Sequence, residues 1–251
     1  MKNQHQIGYL LNTTKYEANL VYANDTTPVV EISITGIVDE EPTGTIRAYK
    51  VSENGDKIGG TEFEIYADEK ITNKAGTKTY YTKGQKVATI VTANGTGIAE
   101  KTGLPLGKYK LVESRAVTGY LLNTEEFKVE LKYINDTTPV VTIEVKGIVN
   151  KEPTGTITIS KKDEKTGTIA QGDATLKGAV YRVYADEDIY NVARTKKYYS
   201  KGDLVATRTT NERGECEPIT DLPLGKYIRK RRGSTNRLLD RWNYLYNKFT
   251  I

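Results

Sequence analysis

One stretch of this chain is written twice. Residues 8–46 recur at 119–157, an offset of 111 (119 − 8), with 25 of the 39 aligned positions identical, and both copies open Gly-Tyr-Leu-Leu-Asn-Thr. A period of domain size marks a tandem array, so the chain must fold as repeated units of about 110 residues. A second set of matches runs at offset 118: Tyr66-Ala67-Asp68-Glu69 returns as Tyr184-Ala185-Asp186-Glu187, Tyr80-Tyr81 as Tyr198-Tyr199, and Leu104-Pro105-Leu106-Gly107-Lys108-Tyr109 as Leu222-Pro223-Leu224-Gly225-Lys226-Tyr227. The seven extra residues (118 − 111) fall between Lys161 and Gly178, where Asp163-Glu164-Lys165-Thr166-Gly167 reads as a turn that tolerates insertion.

Glu41-Pro42-Thr43-Gly44 and Glu152-Pro153-Thr154-Gly155 mark the boundaries, because proline cannot donate to a sheet ladder and each pair separates two strand-like runs. Residues 1–41 then read as the C-terminal part of one β-sandwich repeat, 42–152 as a complete repeat and 153–227 as the N-terminal part of a third. Val, Ile and Tyr dominate a modest apolar fraction of 37% and fall in short alternating runs. That pattern predicts an all-β fold with strands at 44–51, 62–67, 79–82, 85–92, 97–101, 108–113, 126–133 and 140–149, separated by Gly, Asn and Asp turns at sandwich spacing.

The formal charge of +5 and the run Arg229-Lys230-Arg231-Arg232 suggest nucleic-acid binding, but the distribution of charge argues against it. Residues 228–251 hold 7 of the 37 basic and 1 of the 32 acidic residues, which leaves the remaining 227 with 30 minus 31, or −1. The tail also breaks the repeat: position 237 (119 + 118) should be the glycine of Gly-Tyr-Leu and is Arg237. A one-base shift accounts for this, since AGG CTA CTT GAT AGA TGG encodes Arg237 to Trp242 and its next frame reads Gly-Tyr-Leu-Ile-Asp. Residues 228–251 therefore read as a frameshifted tail, with a genuine basic tail as the alternative. Trp242 and the Tyr244/Tyr246 pair then carry no functional weight. No nucleic-acid partner is expected, and no apolar run reaches membrane-spanning length. A single cysteine, Cys216, rules out an intrachain disulfide framework, and a single histidine, His5, leaves no transition-metal cluster to propose. No cofactor is implied.

Three segments carry a family resemblance. They are the first strand of each repeat, ending Tyr49-Lys50-Val51 in one and running Gly155-Thr156-Ile157-Thr158-Ile159-Ser160-Lys161 in the next; the run Leu104-Pro105-Leu106-Gly107-Lys108-Tyr109-Lys110-Leu111-Val112-Glu113; and Ala116-Val117-Thr118-Gly119-Tyr120. In combination they resemble the Cna-B-type, or SpaA-like prealbumin-fold, repeats of Gram-positive surface adhesins and pilins, although Val117 stands where that family usually has proline. The resemblance implies tandem prealbumin-like (Ig-like, Greek-key) β-sandwich domains, one complete and two partial. It further implies that a first-strand lysine, Lys50, bonds covalently to a last-strand asparagine, Asn150, promoted by Glu113.

Strand parity tests this independently. Lys50 shares a face with Ile46 and Ala48, and Glu113 shares one with Tyr109 and Leu111, so both point toward the expected core. Burial would favour a neutral Lys50 amine and a protonated Glu113 able to polarise the Asn150 carboxamide, so that ammonia leaves and an isopeptide bond remains. Asn150 is out of phase with Val141, Ile143 and Val145 unless Gly147 introduces a bulge. The competing reading has Lys50 snorkelling outward and Asn150 as a linker residue. Elsewhere the triad is broken. The N-terminal fragment offers Asp39 with Lys2 at the acid position, and the C-terminal one offers Lys161 with Arg231 there, so neither should form the bond.

The expected function is a non-enzymatic structural stalk or spacer in an extracellular, cell-wall-attached adhesin or pilus-related protein. Two alternatives stand beside it. Tyr80, Tyr81, Tyr198 and Tyr199, flanked by Lys78, Lys83, Lys196 and Lys197, could bind a host matrix protein or glycan, or could simply form aromatic pairs at the sandwich edge. The chain could also be an accessory domain of a secreted enzyme. Finally, fragment 1–41 of one molecule could complete 153–227 of another, head to tail, as a consequence of truncation.

Overall fold

A computed structural model describes residues 7–163, 167 and 175–231. Lys2, His5 and the tail beyond Arg231, with Trp242, Tyr244 and Tyr246, lie outside the described residues. The chain divides into two compact units at Glu152/Pro153.

Unit 1 contains β1 (Thr43–Ser52), β2 (Glu62–Ala67), β3 (Ile71–Thr72), β4 (Thr79–Tyr81), β5 (Lys86–Val91), β6 (Ile98–Pro105), β7 (Gly107–Arg115), β8 (Glu126–Leu131) and β9 (Val140–Asn150). They form a three-stranded sheet in the order β6-β1-β9 and a four-stranded sheet in the order β5-β2-β7-β8, while β3 and β4 make a separate short hairpin. Alternation drives both sheets. Along β1, Ile46, Ala48, Lys50 and Ser52 are buried while Arg47, Tyr49 and Val51 reach the surface, and along β7 Tyr109, Leu111 and Glu113 are buried while Lys108 is exposed. The inward faces of the two sheets make one core that includes Ile46, Ala48, Phe63, Ile65, Tyr109, Leu111, Leu131 and Ile148. The Tyr109 hydroxyl lies over the turn between β6 and β7 and donates to the Pro105 carbonyl at 2.7 Å. The Leu104-Pro105-Leu106-Gly107 run is thereby held as a strand connection.

The first and last strands, β1 and β9, are direct parallel neighbours, whereas β1 and β6 are antiparallel. The parallel ladder pairs Ala48 with Val145 and then Lys50 with Ile148, so two residues of β9, Lys146 and Gly147, face one of β1. Gly147 adopts φ +77°, the left-handed conformation that such a bulge uses and that a side chain would oppose. The extra residue shifts the phase of everything after it. Val141 is buried before the bulge, and Ile148 and Asn150 are buried after it.

Unit 2 contains β10 (Thr154–Ile157), β11 (Val180–Ala185), β12 (Ile189–Tyr190), β13 (Lys197–Tyr199), β14 (Leu204–Thr209), β15 (Ile219–Pro223) and β16 (Tyr227–Arg231). Strands β11 to β14 sit at offset 118 from β2 to β5, residue for residue. The sheets are β10-β15 and β14-β11-β16, which is the arrangement of unit 1 with no neighbours equivalent to β9 and β8 among the described residues. A smaller core gathers Ile159, Ala179, Tyr181, Val183, Cys216, Ile219 and Leu222.

Residues 7–41, expected as the end of a sandwich, contain no strand. The segment is tied to unit 1 at its start, where the Leu11 amide donates to the Asp136 carbonyl at 2.7 Å, and it leaves Leu20, Val21, Val29, Ile32, Ile34 and Ile37 exposed. A strand needs a neighbouring edge to satisfy its backbone groups, and residues 7–41 pair with none among the described residues.

Candidate functional site

At the far end of β1 the side chain of Lys50 turns into the core between the two sheets. Its neighbour across the parallel ladder, β9, supplies Asn150, and β7 in the facing sheet supplies Glu113. Lys50 and Asn150 are each 1% exposed and Glu113 is 5% exposed. The Lys50 Nζ donates to Asn150 Oδ1 at 2.5 Å, and Asn150 Nδ2 donates to Glu113 Oε1 at 2.6 Å. The ring closes with Lys50 Nζ 2.7 Å from Glu113 Oε2. This last contact is an ion pair that lies off the directions of a hydrogen bond, since Oε2 accepts none. The Phe63 ring forms a wall of the pocket, with its centroid 5.8 Å from Nζ.

Each member arrives by a different device. Lys50 and Glu113 follow from ordinary strand alternation, and β2 links them by pairing Phe63 with Glu113. Asn150 reaches the same face only through the bulge at Gly147, which reverses the parity of the last three residues of β9. A buried lysine is expensive to charge, and burial pulls the Lys50 amine below its ordinary range against the opposing pull of the Glu113 carboxylate. The arrangement therefore holds an amine whose charged form burial disfavours against a carboxamide whose two ends are each engaged, one by the amine and the other by a carboxyl group.

The tyrosine pairs are placed differently. Tyr80 and Tyr81 sit on β4, half-buried, and pack against the main core, with Lys78 Nζ 5.0 Å from the Tyr80 ring centroid. Tyr198 and Tyr199 on β13 are also half-buried, and Tyr199 meets the edge of Tyr227 at 6.4 Å between centroids. Much of each aromatic surface is already in contact with its own unit. The Tyr80/Tyr81 pair and the Lys50 pocket are separate features of unit 1.

In unit 2 the lysine counterpart, Lys161, contacts neither a glutamate nor an asparagine among the described residues. Lys161 is half-buried and its Nζ donates to the Thr175 carbonyl at 2.7 Å. Arg231 occupies the backbone position on β16 that Glu113 has on β7, pairing with Tyr181 as Glu113 pairs with Phe63. Asp39, the counterpart of Asn150 in the N-terminal copy, lies in the strandless segment. Among the described residues no three His, Cys, Asp or Glu side chains come together as metal ligands.

Residues 44–147 match the family model of SpaA, a prealbumin-like fold domain. No curated protein matches the sequence. Among solved structures the chain is similar to the Bacillus anthracis TIE protein, at 25% identity over 78% of this chain and 29% of that one, with a TM-score of 0.47. It is also similar to a streptococcal ancillary pilin, at 21% identity over 79% of this chain and 56% of the other, with a TM-score of 0.33. The shaft pilin SpaA from Lactobacillus rhamnosus GG matches at 14% identity over 78% of this chain and 89% of that one, with a TM-score of 0.31. The chain thus spans less than a third of the first of these proteins and just over half of the second.

Proposed function

We propose, from the match of residues 44–147 to the SpaA prealbumin-like domain model, that the chain is a structural stalk or spacer of a cell-surface adhesin or pilus-related protein. In this reading unit 1 is locked by an intramolecular isopeptide bond between Lys50 and Asn150. The observation that carries the reading is the buried ring of contacts among Lys50, Glu113 and Asn150.

The chemistry balances within those three side chains. The neutral Lys50 amine attacks Asn150 Cγ while Glu113, in its acid form, gives its proton to Nδ2 through Oε1. The carboxylate regains a proton from Nζ at Oε2, ammonia departs, and an amide joins Nζ to Cγ. One C–N bond forms and one breaks, with no oxidant or cofactor needed. Water exclusion and fixed positions supply the rate, because amine and carboxamide are held in contact rather than meeting by diffusion. The pocket acts once on itself and then has no further substrate.

The mechanical consequence follows from topology. A pull applied along the chain enters at Thr43, runs along β1 to Lys50, crosses to Asn150 and leaves toward Glu152. The residues from 51 to 149 are then bypassed by a covalent path. For a loop of this size, the chain-entropy model for cross-links gives up to about 4.7 kcal/mol of stabilisation.

The test is the intact mass of the 251-residue chain beside that of Glu113→Ala, followed by peptide mapping. We expect the parent to be lighter than its sequence mass by one ammonia, with the loss mapped to linked peptides containing Lys50 and Asn150, and the variant to have its full mass. A full mass for both proteins, or a loss mapped elsewhere, overturns the reading.

A further inference from the structure

Asn150 is the last residue of β9, and β9 lies at the edge of its sheet, with β1 on one side. Strand ends at a sheet edge fray, yet the reaction proposed above needs the Asn150 carboxamide held against Lys50 Nζ. Three hydrogen bonds grip the backbone there. From the β1 side, the Glu53 amide donates to the Asn150 carbonyl at 3.1 Å. Strand alternation turns the carbonyls of Val149 and Lys151 the other way, and the loop between β7 and β8 takes both. Asn123 Nδ2 donates to the Val149 carbonyl at 3.1 Å, and the Leu121 amide donates to the Lys151 carbonyl at 2.8 Å.

The sequence of the loop accounts for this grip. The Tyr120 amide closes a turn on the Val117 carbonyl at 3.1 Å, and the third residue of the turn, Gly119, has φ +96°, a conformation that favours glycine. Asn123 is half-buried, and its Oδ1 accepts from the Glu125 amide at 2.8 Å, an Asx turn that fixes the carboxamide and aims Nδ2 at β9. The same three bonds recur at offset 111. Asn12 Nδ2 donates to the Val38 carbonyl at 2.9 Å, the Leu10 amide to the Glu40 carbonyl at 2.7 Å, and the Thr14 amide to Asn12 Oδ1 at 2.9 Å. The clip is therefore encoded locally, by the Gly-Tyr-Leu-Leu-Asn-Thr run that both copies share.

We propose that Asn123 is a positioning residue for the bond between Lys50 and Asn150: by holding the carbonyl next to Asn150 on the edge of β9 turned away from β1, it keeps the Asn150 carboxamide in reach of Lys50 Nζ. The inference rests on the isopeptide reading and adds to it a residue that acts through the backbone of β9. Lys50 Nζ stands 2.5 Å from Asn150 Oδ1, and a misplacement of about 1 Å at such a contact costs on the order of a hundredfold in rate. Aspartate at position 123 keeps an oxygen for the Glu125 amide, and so the turn, but presents a carboxylate oxygen to Val149 in place of the amide donor.

The test follows ammonia loss in time. The full 251-residue chain is made by cell-free synthesis and its intact mass is read at intervals, for the parent, Asn123→Asp and Asn135→Asp. Asn135 makes the same kind of turn, accepting from the Thr137 amide at 3.0 Å in the exposed loop that precedes β9, so its variant adds the same charge without touching the clip. Circular dichroism and amide protection in β2 and β7 verify that each protein is folded. We expect Asn123→Asp to lose ammonia about ten- to a hundredfold more slowly than the parent, and Asn135→Asp to match the parent. The pH dependence of the rate should be unshifted in Asn123→Asp, because Lys50 and Glu113 are unchanged. Equal rates in the parent and Asn123→Asp overturn the positioning role and leave the isopeptide reading standing, whereas a parent that keeps its full mass overturns both. Equal slowing in Asn135→Asp, a shifted pH profile, or a slower rate that accompanies unfolding of unit 1 overturns the positioning role as well.

Discussion

Residues 126–150 and residues 15–39 are copies of one repeat segment, identical at 13 of 25 positions, with opposite fates. The first pair as β8 and β9 and bury Leu131, Val141 and Ile148, while the second form no strand and leave Leu20, Ile32 and Ile37 exposed. The apolar alternation, the Gly-Tyr-Leu-Leu-Asn-Thr lead and the glycine before the final turn are present in both. What differs is the neighbour. β8 lies against β7 and β9 against β1, whereas the other copy pairs with no strand among the described residues. Strand propensity here is a capacity to fill a prepared edge rather than a local property of the backbone.

Hydrogen exchange on dilute protein should give the largest contrast between the copies. Amides of 140–150 that bond to β1 should open only with global unfolding and those of 29–39 should exchange nearly freely, a gap of several kcal/mol, or about a thousandfold or more in rate. Equal protection of the two segments in dilute solution would break the comparison.

Removing the reacting group should come next. Asn150→Ala leaves Lys50 and Glu113 buried without the carboxamide between them and removes the proposed cross-link, so unit 1 should lose about 4 to 5 kcal/mol in chemical denaturation. The matching change in the other copy, Asp39→Ala, should leave unit 1 unaltered within about 0.5 kcal/mol. A comparable loss from both would mean that the N-terminal copy shares in the fold of unit 1.

Deleting Gly147 should act through register. Without the bulge Asn150 moves to the outer face of β9, and the mass of the protein should equal its calculated value, as in Glu113→Ala. Retention of the ammonia loss in the deletion would show that β9 restores its phase by another route.

A smaller, pH-dependent effect belongs to Asn150→Ala. Burial lowers the Lys50 pKa in the folded state, so between that lowered value and the ordinary lysine value near ~10.4 the unfolded chain binds more protons than the folded one. Stability of the variant should therefore rise with pH across that window, relative to the parent, in which the nitrogen would be an amide and no longer titrate. A flat difference between variant and parent from neutral to alkaline pH would remove Lys50 as the titrating group.

The smallest effect separates the tyrosine hairpins. Tyr80→Ala removes a half-buried ring from the main core and should cost about 1 to 2 kcal/mol, while Lys78→Ala, which removes only the cation over that ring, should cost about 0.5 kcal/mol. If binding to matrix proteins and glycans is unchanged in Tyr80→Ala/Tyr81→Ala, these rings serve packing alone.

Much of the fold was legible because strands repeat with period two and turns carry glycine, asparagine and aspartate. The expected strand at 62–67 coincides with β2, and those at 44–51 and 140–149 fall one residue short at each end of β1 and one short at the end of β9. The short β3 was missed, since Ile71–Thr72 is too brief for alternation to register. Parity alone placed Lys50 and Glu113 on inward faces, and both are buried. Tyr80 and Tyr81 were legible as a pair but not in their packing, because a three-residue strand does not reveal what it rests on.

The sequence by itself determined the repeat, the all-β class, the faces of regular strands and the residue types available to each face, because these depend on local periodicity that any neighbour would see. The tertiary structure alone decided which of two related copies becomes β8 and β9, that β1 and β9 lie parallel and adjacent, and that the bulge at Gly147 carries Asn150 back to the face shared by Lys50 and Glu113. Those outcomes depend on edges and cavities made by residues up to a hundred positions away, and a backbone group is committed only when such a partner is in place.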